Sequence, residues 1–199
     1  MAQSGFWYIL LIGAAFGVLH SLLASTRVKD MAARVISGIF PRHYRLFYSF
    51  VAVVTVFAYV GAVLFFPDRA LYRIQPPWLY LTLSLQLFAG VCFITALFQN
   101  SLLGFSGLAS LLSKKPSHAE HLTTGGFYRY TRHPLYLFSL IMLWLLPVVT
   151  WNILALAIGV TIYTLIGSLL EERRLAQQFG QEYISYKKRT PWLIPIHFK

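Results

Sequence analysis

Acidic residues are scarce in this chain. Only six of its 199 residues are aspartate or glutamate, and charged residues of both signs make up 12% of it. A typical soluble domain carries about twice that charged fraction, so the composition argues against a soluble protein. Cysteine is rarer still: Cys92 is the only one, which excludes an intramolecular disulfide. We expect Cys92 to be a small buried hydrophobic residue.

The chain is rich in long apolar runs. Apolar residues make up 57% of the chain, and the mean hydropathy is +0.62. A helix needs about 20 mostly apolar residues to cross a bilayer. Five stretches qualify, of which the fourth is short: Trp7 to Leu23, Leu46 to Phe66, Trp78 to Phe98, Leu135 to Pro147, and Trp151 to Leu170. The sequence therefore predicts an all-α, polytopic membrane helical bundle with about five transmembrane helices.

The domain organisation follows from these spans. We expect residues 1–199 to form a single integral membrane domain, with three spans and an interfacial helix in residues 1–112 and a helical hairpin followed by the tail in residues 113–199. The first span is interpreted as a retained helix and not as a signal peptide. The fourth and fifth spans are predicted to form a tight helical hairpin. From Val28 to Phe40, apolar residues recur at helical spacing, which predicts an amphipathic helix at the membrane surface.

The basic residues lie almost entirely on one side of these spans. Fifteen of the 17 lysines and arginines fall in the segments after the first and third spans and in the tail, and only Arg69 and Arg73 fall on the other side. The positive-inside rule then predicts an external N-terminus and a cytoplasmic C-terminus. Topology and contact with anionic membrane lipid account for the net charge of +11. Nucleic acid is therefore not expected as a partner.

Polar and aromatic residues are concentrated in the segment from His121 to Tyr136. Its sequence is H-L-T-T-G-G-F-Y-R-Y-T-R-H-P-L-Y. Paired glycines allow positive φ and a close approach of the backbone to a ligand, although an ordinary turn also uses them. After them, rings and cations alternate up to the start of the fourth span, and Pro134 suits the first turn of that helix. The same basic and aromatic residues are also typical of an anchor at the membrane interface.

A second polar group follows on the fifth span. No proline interrupts Trp151 to Phe179, so a helix of about 43 Å is expected, which carries Glu171 and Glu172 past the lipid boundary. Instead of belonging to a site, the two glutamates could lie with arginines on a solvent-exposed face of the helix. This alternative describes Glu172 better than Glu171. Gly180 is predicted to end the helix. Beyond it, two tyrosines and a basic cluster are expected to return along the surface: Tyr183, Tyr186 and Lys187 to Arg189.

These motifs resemble a known family, the isoprenylcysteine carboxyl methyltransferase-like integral membrane methyltransferases, which include phospholipid and small-thiol methyltransferases. The resemblance covers roughly the last eighty residues. It rests on R-H-P-L-Y and on E-E-x-x-L-x-x-x-F-G-x-x-Y-x-x-Y-x-x-x-x-P-x-x-x-P. Upstream, H-S-x-x-A at His20 to Ala24 and W-x-x-P at Trp144 to Pro147 look more like the bacterial methanethiol S-methyltransferase branch.

The resemblance implies an S-adenosylmethionine site on the cytoplasmic side, in residues 113–199, and no metal. Carried over position by position, the cofactor-binding residues would be Glu120, His121, Leu122, Thr123, Tyr128, His133, Pro134, Leu135, Tyr136 and Glu171. Aromatic rings can face a sulfonium as they face other cations. A carboxylate pairs with an ammonium group.

One departure from the family bears on the methyl acceptor. Prenylcysteine carboxyl methyltransferases carry an arginine four residues before the first glutamate, and here that position is Gly167. The resemblance therefore favours a small or lipophilic acceptor, preferably a thiol, over a prenylcysteine carboxylate or a phospholipid amine. Two further hypotheses are a membrane sterol reductase that uses NADPH and a non-enzymatic membrane binding or assembly factor. The catalytic residue stays open between several candidates: His20, His121, His133 and Arg132.

Overall fold

The computed structural model describes residues 4–35, 40–100 and 121–196. In this part of the chain the helices are α1 (Phe6–Ala24), α2 (Thr26–Val35), α3 (Phe40–Phe65), α4 (Trp78–Gln99), α5 (Pro134–Trp144), α6 (Trp151–Phe179) and α7 (Gln181–Arg189). A short 3-10 helix, η1, covers Gly126–Arg129, and two strands are present, β1 (Ala70–Arg73) and β2 (Val148–Thr150). The predicted amphipathic helix is present as α2, and residues 36–39 of that prediction lie outside the described residues.

Four of these helices are long and apolar enough to cross a membrane: α1, the segment Leu46–Phe65 of α3, α4, and α6. In hydrocarbon no water is available to the backbone, so a spanning segment must make its hydrogen bonds internally, as a helix does. Few side chains of these helices are buried, as is expected where lipid is the solvent. The predicted polytopic membrane bundle is confirmed, and the protein is an integral membrane protein.

The predicted fourth span is α5, and it is short. Eleven residues reach only about 16 Å, roughly half the hydrocarbon thickness. The helix begins at Pro134, directly after His133. A tight turn was expected between this helix and α6. The connection is instead the strand β2, which pairs with β1 in a two-stranded sheet. The N–H of Ile74 also donates to the carbonyl of Pro147 at 2.8 Å.

The described residues fall into two compact units. The first contains residues 4–35, 40–69 and 150–160. Its core consists of Phe6, Ile9, Tyr59, Ala62 and Ala155. Helices α1 and α3 pack together in this unit, and the Tyr48 hydroxyl forms a hydrogen bond with the His20 imidazole.

A buried amide secures one end of this first unit. Asn152 is fully buried, and its side-chain nitrogen donates to the carbonyls of Val63, Phe66 and Pro67 at 3.1 to 3.3 Å. Pro67 lacks the N–H that would continue the helix, so the carbonyl of Val63 has no partner four residues on. Asn152 supplies the missing donor and ties the start of α6 to the end of α3.

The second unit contains residues 70–100, 121–149 and 161–196. Helices α4 and α5 pack side by side. The amide of Gln86 donates across to the carbonyl of Met142 at 2.9 Å, which is an interhelical hydrogen bond between α4 and α5. The polar groups at His121 to Tyr136 and after Glu171 both belong to this unit, at the end where α5 begins and α6 ends.

Candidate active site

The R-H-P turn before α5 is held by the tail of the chain. The Thr131 hydroxyl lies within hydrogen-bonding distance of the carbonyls of Trp192 and Leu193, at 3.0 and 2.8 Å. The N–H of Arg132 donates to the carbonyl of Pro191 at 3.0 Å. The tail around Pro191 is not helical, so its carbonyls are available to these donors. These hydrogen bonds hold the turn in place without a contribution from a ligand.

The glycine pair belongs to a turn that α4 positions. Gly126 has φ +59°, a value that favours glycine, and an added Cβ would lie only 2.4 Å from the Gln99 amide. The Oε1 atom of Gln99 accepts the N–H of Phe127 at 2.9 Å. Gln99, at the end of α4, thus places η1 and with it Tyr128. The sequence motifs did not indicate Gln99, and its only signal was a polar residue at the end of an apolar span.

Glu172 is buried at the centre of the polar cluster, with 5% of its side chain exposed. Its Oε1 atom lies 2.7 Å from Nη1 of Arg132, and its Oε2 atom lies 2.7 Å from Nζ of Lys187. Nε2 of His133 lies 3.4 Å from Oε1. The expectation that Glu172 lies on a solvated face is therefore wrong, because the R-H-P turn and α7 cover it.

Glu171 has a different environment, with 42% of its side chain exposed. The Tyr136 hydroxyl donates to its Oε2 atom at 2.8 Å, and Nδ1 of His133 lies 3.6 Å from the same atom. The rings of His133 and Tyr136 stack with centroids 5.3 Å apart. These two residues lie three positions apart at the start of α5, so their side chains can lie on the same face.

Helix α7 closes the cluster on one side. Tyr183 and Tyr186 are almost fully buried, which corrects the expectation that they return along the surface. The Tyr186 hydroxyl donates to the carbonyl of Tyr128 at 2.6 Å. Their spacing of three residues was the available signal, because it gives a short helix one aromatic face. Gly180, with φ +53°, makes the predicted break between α6 and α7.

Burial shifts the ionisation of the groups in this cluster. It raises the pKa of Tyr183 to about 12, with a smaller contribution from the Glu172 charge. The pKa of Tyr128 also rises, first through burial and then through the Glu171 charge. Burial lowers the pKa of His133, although both glutamates act in the opposite direction. At neutral pH the cluster therefore holds neutral tyrosines and a neutral imidazole beside two carboxyl groups and the buried Arg132.

The structure brings together only part of the predicted set of site residues. Tyr128, Arg132, His133, Tyr136 and Glu171 belong to one cluster, and Pro134 and Leu135 form the first turn of α5 that carries it. His121, Leu122 and Thr123 lie in the irregular segment before η1. Glu120 lies outside the described residues. His20 belongs to the first unit.

No cluster of three or more histidine, cysteine, aspartate or glutamate residues that could hold a metal ion occurs within residues 4–35, 40–100 and 121–196. Gly167, one turn before Glu171, has open space around it, because an added Cβ would meet nothing within 4 Å. What the arrangement offers chemically is a half-exposed carboxylate and an imidazole, with aromatic rings around them. A ligand with a positive charge or hydrogen-bond donors suits such a set.

The chain is similar to known methyltransferases. The family model described as phospholipid methyltransferase matches residues 79–182, which is more than half of the chain. Methanethiol S-methyltransferase 1 of Bradyrhizobium diazoefficiens is 31% identical over 190 residues, which make up 94% of this chain and 65% of that protein. No solved structure matches the chain.

Two further relatives match over shorter segments. The methanethiol S-methyltransferase of Crocosphaera subtropica is 40% identical over 37% of this chain and 29% of its own length. That of Pseudomonas deceptionensis is 41% identical over 34% of this chain and 26% of its own length. Less than two thirds of the length of each of these relatives is matched. The match across residues 79–182 and the likeness over almost the whole chain show that the protein belongs to the phospholipid methyltransferase family.

Proposed function

We propose that the protein is an S-adenosylmethionine-dependent membrane methyltransferase that transfers a methyl group to a small thiol. The observation that carries the proposal is the 31% identity over 94% of the chain with a protein named methanethiol S-methyltransferase 1. The cluster of Tyr128, His133, Tyr136 and Glu171 supports it, because rings and a carboxylate suit a cofactor that has a sulfonium and an ammonium group.

The cofactor would supply the reactive methyl group, and the protein would supply its orientation. Methyl transfer from a sulfonium needs the acceptor aligned behind the methyl carbon, and such alignment accounts for most of the acceleration. Glu171 is the carboxylate with room for a ligand, since Glu172 is occupied by side chains of the protein itself. We assign Glu171 and Tyr136 to the ammonium or ribose end of the cofactor, and His133 beside them.

The acceptor is inferred from the neighbourhood of Gly167. No side chain at that position offers a cation to a substrate carboxylate, and the space around it is open. A thiol acceptor needs no such cation; it has only to lose its proton, since the thiolate is the nucleophile. Methylation of a phospholipid amine is the second candidate, because the matching family model is described by that activity.

Calorimetric titration of the detergent-purified full chain with S-adenosylhomocysteine tests the cofactor. We expect binding by the wild type and an affinity about 10-fold to 100-fold lower for Glu171→Gln, because a hydrogen bond to a charged group contributes about 1.5 to 3 kcal/mol. His133→Ala is expected to weaken binding as well. Glu182→Gln is the matched control, since Glu182 is an exposed glutamate of α7, and its affinity is expected to equal that of the wild type.

Absence of binding by well-folded wild-type protein, or equal binding by Glu171→Gln, would contradict the cofactor assignment. A second experiment identifies the methyl acceptor. With binding established, transfer of labelled methyl groups is measured to methanethiol, to a prenylcysteine carboxylate and to phosphatidylethanolamine. Uptake by the thiol alone supports the proposal, and uptake by the lipid amine alone replaces it with the second candidate.

We also propose that the C-terminus and the site face the cytoplasm. The support is the sequence distribution of charge, in which 15 of the 17 basic residues fall on one side of the spans. A green fluorescent protein fused to the C-terminus is expected to fluoresce in bacteria, because this reporter folds in the cytoplasm and not after export through the general secretory route. A dark fusion, together with an active periplasmic reporter at the same position, would reverse the orientation.

A further inference from the structure

We propose that Glu172 is a positioning residue that holds the proton of His133 on Nε2 and leaves Nδ1 as a hydrogen-bond acceptor beside Glu171. The two neighbouring glutamates then have different tasks: one orients the imidazole and the other remains available to a ligand. The proposed cofactor site gives Glu172 no role, and its sequence pattern predicted a position in solvent.

Both ring nitrogens of His133 face a carboxylate, but at different distances. Nε2 lies 3.4 Å from Oε1 of Glu172, which is a long hydrogen bond. Nδ1 lies 3.6 Å from Oε2 of Glu171, beyond hydrogen-bonding length. Each of these oxygens also has another donor nearby, since Arg132 Nη1 lies 2.7 Å from Oε1 of Glu172 and the Tyr136 hydroxyl donates to Oε2 of Glu171 at 2.8 Å. Because only the contact of Nε2 with Glu172 is within hydrogen-bonding length, it is the one suited to an N–H.

A neutral imidazole has one N–H for two such neighbours. Burial lowers the pKa of His133, and the nearby Arg132 charge acts in the same direction against the two carboxylates. With the proton on Nδ1, the lone pair of Nε2 would face a buried carboxylate with no donor between them, which is costly. With the proton on Nε2, the unprotonated nitrogen faces Glu171, whose side chain is 42% exposed and open to a donor from outside.

Glu172 can act in this way because it is itself fixed from two other segments. Arg132, with 9% of its side chain exposed, and Lys187, on α7, lie at 2.7 Å from its two oxygens. Its position therefore does not depend on the contact with His133. A carboxylate that sets the tautomer and orientation of an imidazole is a general device for preparing the opposite nitrogen for use.

The consequence for ligand binding rests on the proposed function. Nδ1 of His133 and the carboxylate of Glu171 form a pair of adjacent acceptors, and this pair fits a ligand that brings N–H, O–H or S–H donors. The tautomer itself does not depend on that function. A measurement of the tautomer can therefore fail while the cofactor assignment survives, and the reverse also holds.

The test is nuclear magnetic resonance of the full chain in lipid nanodiscs, with the histidine rings labelled with ¹⁵N. Spectra are recorded at about pH 7.5, one unit above the ordinary imidazole pKa, and the His133 signals are those that disappear in His133→Asn. We expect the wild type to show a protonated Nε2 and an unprotonated Nδ1. A protonated Nδ1, or an imidazolium, would overturn the proposal without recourse to any further variant.

Variants separate the two glutamates. In Glu172→Gln the side-chain amide can present either its oxygen or its N–H to the ring, so we expect a mixture of tautomers. Glu171→Gln is the matched control and is expected to keep the wild-type tautomer. Glu172→Asp retains the charge for Arg132 and Lys187 but withdraws it by about 1.5 Å, and it serves if Glu172→Gln does not fold. A pure Nε2–H tautomer in the Glu172 variants, or a change in Glu171→Gln alone, would refute the role of Glu172.

Discussion

Two buried polar residues near opposite ends of helix α6, Asn152 in the first unit and Glu172 in the second, satisfy different partners. Asn152 is neutral, and its amide donates to three backbone carbonyls at one helix end. Glu172 is a carboxyl group that faces cationic side chains and an imidazole from the R-H-P turn and from α7. A side-chain amide has N–H donors for backbone carbonyls, whereas a carboxylate only accepts and therefore suits donors that carry a positive charge.

The difference has a functional meaning. The amide of Asn152 uses its donors on the backbone, so none of them remains for chemistry. The carboxylate of Glu172 orders side chains that are themselves ionisable, and one of them, His133, lies next to the half-exposed Glu171. A polar residue that organises backbone thus stabilises the fold, and one that organises titratable side chains prepares a site.

Replacing Glu172 or Asn152 by alanine is expected to have the largest effect on stability. We expect Glu172→Ala to lower the free energy of unfolding by about 3 to 5 kcal/mol, because Arg132 is left buried without its partner. Asn152→Ala is expected to cost less, about 1 to 3 kcal/mol, since the groups left behind are neutral carbonyls. Denaturant unfolding in detergent, followed by tryptophan fluorescence, measures both.

The control for this prediction is Glu171→Ala, which removes a half-exposed carboxylate and is expected to change stability by less than about 1 kcal/mol. Lys187 contributes little to the difference, because half of its side chain is exposed. Equal losses in Glu172→Ala and Glu171→Ala would show that burial of Glu172 does not stabilise the protein to the expected extent.

The sequence predicts the extent of helix α6 but not the surroundings of its two adjacent glutamates. Helix α6 was predicted with its observed bounds, Trp151–Phe179, because no proline interrupts it and its apolar part, Trp151 to Leu170, is stable in lipid only as a helix. Glu171 and Glu172 are identical in type and adjacent, so local pattern cannot decide which is buried. The packing of α7 and of the R-H-P turn decides it, and both segments are distant from Glu172 along the chain.

Short elements escaped prediction for a related reason. Strands β1 and β2 have four and three residues, too few for an alternating pattern to emerge. Asn152 was not singled out in the sequence because it is one polar residue at the start of an apolar span. Its role depends on Pro67, which lies 85 residues earlier. The site residues that sequence motifs did indicate, such as His133, Tyr136 and Glu171, lie in one cluster because side chains of the two motifs contact one another.

The ionisation of His133 is expected to have the smallest effect on stability. Burial lowers the pKa of His133 below the ordinary 6.5, so the unfolded chain takes up this proton at a higher pH than the folded protein does. Acid then favours the unfolded state, and this contribution to the free energy of unfolding falls as the pH drops through about 6.5 towards the folded pKa. His133→Asn removes the contribution, so the stability difference between wild type and variant isolates it from the carboxyl groups that both proteins share. We expect that difference to decline with acid over this window in the full chain in detergent. A difference that instead grows with acid would mean that the carboxylates of Glu171 and Glu172 outweigh burial, and the imidazole between them would then be a cation in the folded protein.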